Sequence, residues 1–301
     1  MAISAPDAPA PEFRTLCDWG NWVFPFDDMF DDGELRDKPV AAANVIQSLL
    51  SPMSQHQTGH ETSEPRLPIG SPEGLWRHSP RSITIHYSDN SGVQRRFAKK
   101  MSDYCSGALI QVQDFATHKT HTPEETFKTR QLSAGASPIF ALVEYAHALR
   151  IPDYVFEHPA IREIEVLCVD FVLIINDALS YKKEESEAVP HNLVAAARMS
   201  GLGAQEAFDY IGSMLTSRFE RWEKAVSEVP DWGEDVNSHV EKYIQGVADI
   251  ARANLNWSFE SGRYLGKDGP VVRQTRCLQV LRSPAFVRSV EMEAPPAVES
   301  F

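Results

Sequence analysis

Apolar residues recur at three- and four-residue spacing along most of the chain, and this period predicts helices. Phe13 to Phe30 is aromatic and apolar, and Pro25 within it is expected to kink the helix or end a turn. Val40 to Leu50 reads as a short amphipathic helix. Ser51 to Ser91 is rich in Ser, Pro, Gly and His and predicts a long irregular connection. Inside it Ile83 to Tyr87 alternates, which alone is weak evidence for a strand. Gln94 to His118 and Pro123 to Leu132 are helical in pattern. Ser137-Pro138 opens a helix over Ile139 to Leu149, and Ile151-Pro152 breaks it. His158-Pro159 then opens a long apolar stretch, Ala160 to Glu187, followed by two further helices over Gln205 to Val226 and Val236 to Ser258. No βαβ alternation and no internal repeat is present, so the pattern is all-α. The expected organisation is a disordered Ala/Pro-rich tail over 1–11, one helical domain over 12–285 with 51–91 as its irregular connection, and a frayed tail over 286–301.

Charge narrows the function. A formal net charge of −13 repels nucleic acid phosphate and argues against a DNA or RNA partner. An anionic substrate would need a local cluster of cations or metal. Cys17, Cys105, Cys168 and Cys277 are widely spaced, with no zinc-type pairing, and read as free thiols in a reducing compartment. Residues Met1 to Pro11 lack the basic and apolar regions of a signal peptide, and no run approaches the ~18 apolar residues of a membrane span. A cytoplasmic location is expected.

Two clusters carry chemistry. In Asp27-Asp28-Met29-Phe30-Asp31-Asp32, Asp27 and Asp31 share a helix face, as do Asp28 and Asp32. Like charges at that spacing destabilise a bare helix, and a hard divalent cation relieves the repulsion. An EF-hand loop does not fit, because Met29 or Phe30 would fall at its third ligand position. In the second cluster, Asn176, Ser180 and Glu184 stand at i, i+4 and i+8 and drift only about 40° around a helix axis. An amide oxygen, a hydroxyl and a carboxylate on one stripe form an oxygen-only ligand set suited to magnesium or manganese. The run Phe171 to Ile175 before them should lie deep in a bundle.

Together these motifs resemble the class I terpene synthase family, of the fungal sesquiterpene type. The Asp-rich run is similar to its DDxxD-like element. Asn176, Ser180 and Glu184 match its N-D-x-x-S-x-x-K/R-E triad, with Lys183 in the basic slot. Arg263-Tyr264 matches its Arg-Tyr pair, and Arg130 stands where the family places a diphosphate-sensing arginine. The resemblance covers about Phe13 to Cys277. Chain-elongating prenyltransferases carry a second DDxxD instead of the triad and fit less well.

The resemblance implies a class I terpenoid synthase helical bundle and three Mg2+ ions, with Mn2+ as a substitute. It implies that Asp27 and Asp31 hold two ions and that Asn176, Ser180 and Glu184 hold the third. Arg130, Lys183, Arg263 and Tyr264 would bind the diphosphate of the substrate, expected to be farnesyl diphosphate. Phe24, Phe26, Trp257 and Phe259 are candidates to face a carbocation, while His147, His158 and His191 read as structural. One departure stands out. In the family the Asp-rich motif follows further helices, whereas here it begins at Asp27, so the bundle is expected to lack the helices before it. The alternative function is therefore a non-catalytic relative that binds metal or diphosphate without turnover. The terpene product is not legible.

Overall fold

The computed structural model describes residues 2–55 and 91–282. Its helices are α1 Ala10–Asp31, α2 Pro39–Gln55, α3 Ser91–Ala116, α4 Pro123–Ser133, α5 Ser137–Ala146, α6 Asp153–Glu157, α7 Pro159–Ser186, α8 Leu193–Met199, α9 Ala204–Ser227, α10 Glu234–Glu260 and α11 Gly269–Thr275. No strand occurs among the described residues, as the periodicity predicts. The alternating piece Ile83 to Tyr87 and the tail 286–301 lie outside them.

Local chemistry fixes the helices that matter for function. At the start of α4, Thr122 Oγ1 accepts from the Glu125 backbone N–H at 3.2 Å and Glu125 Oε2 accepts from the Thr122 N–H at 3.0 Å. This reciprocal cap satisfies two orphan donors and sets the direction in which Arg130 leaves the helix. At the start of α7, Pro159 occupies the first turn and His158 Nδ1 accepts from the Ala160 N–H at 3.2 Å. That His is structural, as expected.

Two apolar clusters build the body. One joins α1, α2 and α3 through Trp19, Trp22, Phe26 and Phe30, Ile46 and Leu49, and Tyr104. The other gathers α7, α8, α9 and α10 around Cys168, Leu173, Tyr181 and Tyr243. Helix α5 is apolar on both sides and lies between them: Ala141, Leu142 and Ala146 face the first cluster, Phe140 and Val143 the second. Helix α7 packs along α9 and α10, which makes it the axis of the second cluster. Gly246 lets α10 approach α5, since a Cβ there would stand 2.4 Å from Val143 Cγ1.

Several boundaries differ from the sequence expectation. Pro25 does not end α1. It lies on an exposed face, so the Asn21 carbonyl that loses its helical partner can meet water. Helix α2 continues through Ser51 to Gln55, residues read as part of the connection. Residues 2–9 were expected to be disordered, yet Ser4 and Ala5 are buried and Ala5 joins the first cluster. Small side chains let such a segment lie close against an aromatic helix face. The short helices α6, α8 and α11 were not anticipated.

Candidate active site

A cavity of about 510 Å³ opens where α1, α4, α7 and α10 converge. Of the residues singled out in the sequence, Asp27, Asp31, Arg130, Asn176, Lys183, Glu184, Arg263 and Tyr264 all line it. Ser180 does not. It lies beneath the surface of α7, fully buried, and its Oγ has no hydrogen-bond partner. A buried hydroxyl left unpaired is costly, so this oxygen is set for a ligand.

The ionised groups fall into two sets. Each cationic candidate is already paired with a carboxylate. Arg130 donates through Nε and Nη2 to Asp177 Oδ1, at 3.0 and 2.6 Å, and through Nη2 to Asn176 Oδ1 at 2.9 Å. Arg263 grips Asp28 with both Nη atoms, at 3.1 and 2.5 Å. Lys183 pairs with Glu187. Burial opposes the charge of Arg130, but Asp177 and Glu184 more than offset it and keep the guanidinium protonated.

Asp27, Asp31 and Glu184 form the other set. No salt bridge among the described residues reaches them. Their partners are neutral donors: Tyr104 Oη to Asp27 Oδ1 at 3.0 Å, Gln111 to Asp31, and Asn192 Nδ2 to Glu184 Oε2 at 2.8 Å. Burial and the Asp31 charge hold Asp27 well above the usual carboxylate range, and burial raises Asp31. Burial and Asp177 push Glu184 up to about 7. Arg130 offsets part of this, yet the three acids stay raised, so the cavity gathers carboxylates that lack a salt-bridge partner near a buried hydroxyl with no partner, and this donor set fits a hard divalent cation. Among the described residues no three His, Cys, Asp or Glu side chains form a metal cage by themselves. The donor set that fits is instead mixed: an amide, a hydroxyl, and carboxylates that each accept a hydrogen bond from a neutral donor.

This charge pattern gives a pH prediction. Acids with raised folded-state pKa values bind more protons folded than unfolded. The metal-free protein should therefore lose stability as pH rises from about 4, the unfolded carboxylate value, through the value of about 7 at Glu184. Mg2+ favours the ionised forms, so its protection should grow over the same window. Melting with Mg2+ and with a chelator at pH 5.5 and pH 8 checks this. A metal-induced shift equal at both values would contradict it. Glu144, also raised to about 7 by burial, is absent from the cavity lining and adds to the metal-free slope alone.

Apolar and aromatic residues complete the wall. Phe24 and Trp257 line the cavity and stack, with ring centroids 4.5 Å apart, and Tyr264 meets Trp257 edge-on at 5.7 Å. Phe26 and Phe259, the other aromatic candidates, are not in the lining. Each stands two residues along its helix from a lining aromatic, hence about 200° around the axis. Val23, Ile139, Val172 and Ile250 supply aliphatic surface.

Sequence reading missed the supporting residues. Asp177, beside Asn176, holds Arg130 with Oδ1 and accepts from the Leu193 N–H with Oδ2 at 2.7 Å. Asn192 caps α8 with Oδ1 and donates to both Glu184 and the Asp177 carbonyl with Nδ2. His191, expected to be purely structural, lines the cavity, with Nε2 2.8 Å from Ser133 Oγ. Burial and Arg130 hold it well below its ordinary value, so it is neutral. An Asn directly before an apolar run was the one available signal, as an N-cap.

The family model described as terpene synthase family 2, C-terminal metal binding, matches residues 18–221. The chain belongs to this family. Silphinene synthase from Penicillium patulum is 35% identical over 277 residues, covering 91% of this chain and 73% of that protein. A sesquiterpene synthase from Cyclocybe aegerita is 30% identical, covering 92% of this chain and 76% of that protein. The fold is that of α-eudesmol synthase, with a TM-score of 0.73 at 22% identity over 87% of this chain and 83% of that one. The chain is thus an all-α terpene synthase. No helix among its described residues is long and apolar enough to cross a membrane.

Proposed function

We propose that this terpene synthase ionises farnesyl diphosphate in the presence of Mg2+ and directs the resulting carbocation to a sesquiterpene, releasing diphosphate. The observation that carries the reading is the sorting of charge around the cavity. Among the described residues Asp27, Asp31 and Glu184 make no salt bridge, Ser180 has an orphaned hydroxyl, and Arg130, Lys183 and Arg263 stand at the same cavity. Names of relatives such as the Cyclocybe aegerita sesquiterpene synthase support the chain length.

Asp27 and Asp31 of the cavity wall would hold two Mg2+ ions, and Asn176 and Glu184 of the wall, with the buried Ser180 hydroxyl behind them, a third, with Mn2+ able to replace them. Bound there, the metal supplies Lewis-acid polarisation of the leaving diphosphate and a template for its oxygens. Arg130, Lys183 and Tyr264 donate to that diphosphate. Arg263 keeps a buried Nε–H with no partner while both Nη atoms hold Asp28, so it can donate without releasing the carboxylate. The electron pair of the C–O bond leaves with the diphosphate, whose oxygens can later accept the proton lost by the cation. The Phe24–Trp257 stack presents aromatic surface to positive charge, and the aliphatic wall excludes the water that would quench it.

Incubation with geranyl, farnesyl and geranylgeranyl diphosphate, followed by analysis of volatile products, tests the assignment. Farnesyl diphosphate should give the highest kcat/KM and a fifteen-carbon product. Preference for another chain length would overturn the substrate assignment while leaving the reaction class intact.

A further inference from the structure

We propose that Tyr104 and Gln111 of α3 are positioning residues that select which carboxylates of the α1 acidic run face the metal. The inference rests on the metal reading above. The run Asp27-Asp28-Met29-Phe30-Asp31-Asp32 has four carboxylates of equal intrinsic chemistry, and the fold treats them differently. Asp28 is gripped by both Nη atoms of Arg263 and is charge-neutralised. Asp32 is exposed. Asp27 and Asp31 instead each accept a hydrogen bond on Oδ1 from a neutral side chain of α3.

The geometry of two packed helices produces this pairing. Tyr104 and Gln111 stand seven residues apart, two turns of α3, and so share the face that meets α1. Both are buried. A buried glutamine amide is costly unless paired, and Gln111 uses it on Asp31. A neutral donor fixes the carboxylate rotamer and occupies one oxygen without cancelling the charge. That leaves the second oxygen of each group without a side-chain donor from α3, in residues that both line the cavity. An arginine in the same place would remove the attraction for a cation, as it does at Asp28.

The test compares wild type with Tyr104→Phe, which deletes one hydroxyl, and Gln111→Met, which keeps length and loses the amide. Melting is followed against Mg2+ concentration with inorganic diphosphate present, and kcat and KM are measured in parallel. Loss of partners that orient metal ligands typically weakens binding about 10–100-fold. Each variant should therefore raise half-saturating Mg2+ at least about tenfold, while metal-free melting stays cooperative and excess Mg2+ restores most of kcat. Half-saturation within twofold of wild type in both variants would overturn the proposal. So would a lower melting temperature with unchanged Mg2+ half-saturation, which would make the two side chains packing groups. If wild type itself shows no Mg2+ response, the metal reading fails and this inference falls with it, an outcome distinct from a responsive wild type with unaltered variants.

Discussion

Replacing Glu184 by Gln is expected to lower turnover of farnesyl diphosphate by at least about a thousandfold and to make the metal-free protein more stable at pH 8. The two effects share one cause. Glu184 is buried and faces the Asp177 charge, and Arg130 and the hydrogen bond from Asn192 only partly offset this, so its ionised form is held at a cost. Its pKa of about 7 means that the cost is absent below about pH 4, grows as pH rises, and is complete above pH 7. Glutamine keeps the shape and an acceptor oxygen but removes the charge. The metal-free variant should melt higher at pH 8 by about 2–4 °C for each kcal/mol relieved, and show no such gain at pH 4. Activity moves the other way, because the lost charge is what draws the cation to the leaving group. Lewis-acid stabilisation is worth several kcal/mol, and a thousandfold loss corresponds to about 4 kcal/mol. Diphosphate release at saturating substrate, beside melting curves in chelator at both pH values, checks the pair. Turnover within tenfold of wild type, or a less stable variant at pH 8, would contradict the assignment.

Arg130→Met is expected to cost more in stability than any other change in the cavity wall. It leaves Asp177, which is fully buried, with a charge and no counter-ion. Removing one partner of a buried pair typically costs about 3–5 kcal/mol. The loss also releases Asn176 Oδ1 and Ser133 Oγ from their donor. The double variant Arg130→Met with Asp177→Asn removes both charges and should regain most of the stability. It should regain none of the activity, because the diphosphate still lacks its donor. Denaturant unfolding of wild type, both single variants and the double variant gives the coupling between the sites. A double variant as unstable as Arg130→Met would mean that the pair is not what holds α4 to α7. One with wild-type turnover would remove Arg130 from the diphosphate site.

The parts of the site that share a helix were legible before any coordinates. Asn176, Ser180 and Glu184 lie on one helix, so their period alone predicts a common stripe, and the same holds for Asp27 and Asp31. What the sequence hides is the partner of each group. Tyr104 is 77 residues from Asp27, and Arg263 is 235 residues from Asp28, separations across which local pattern carries no information. Asp177 lies inside the motif, yet it points about 100° away from Asn176 and serves Arg130 instead of the stripe. Ser180 shares the stripe of Asn176 and Glu184 by period, yet it is fully buried and absent from the cavity lining. Helices α6 and α8 span 5 and 7 residues, too short for a period to emerge, and only the Asn192 cap marks the second. Phe26 and Phe259 show the opposite error: the right residue type beside the cavity, on the wrong side of the helix.

The most direct test of the account is the release of inorganic diphosphate from farnesyl diphosphate by the purified chain, measured against Mg2+ concentration with a chelator blank. Asp27, Asp31 and Glu184 without salt-bridge partners among the described residues, and the orphaned Ser180 hydroxyl, predict no release in chelator, and release that rises to saturation with Mg2+ together with formation of a fifteen-carbon product. Release at the same rate in chelator, or no release at any Mg2+ concentration from a cooperatively folded protein, would contradict it.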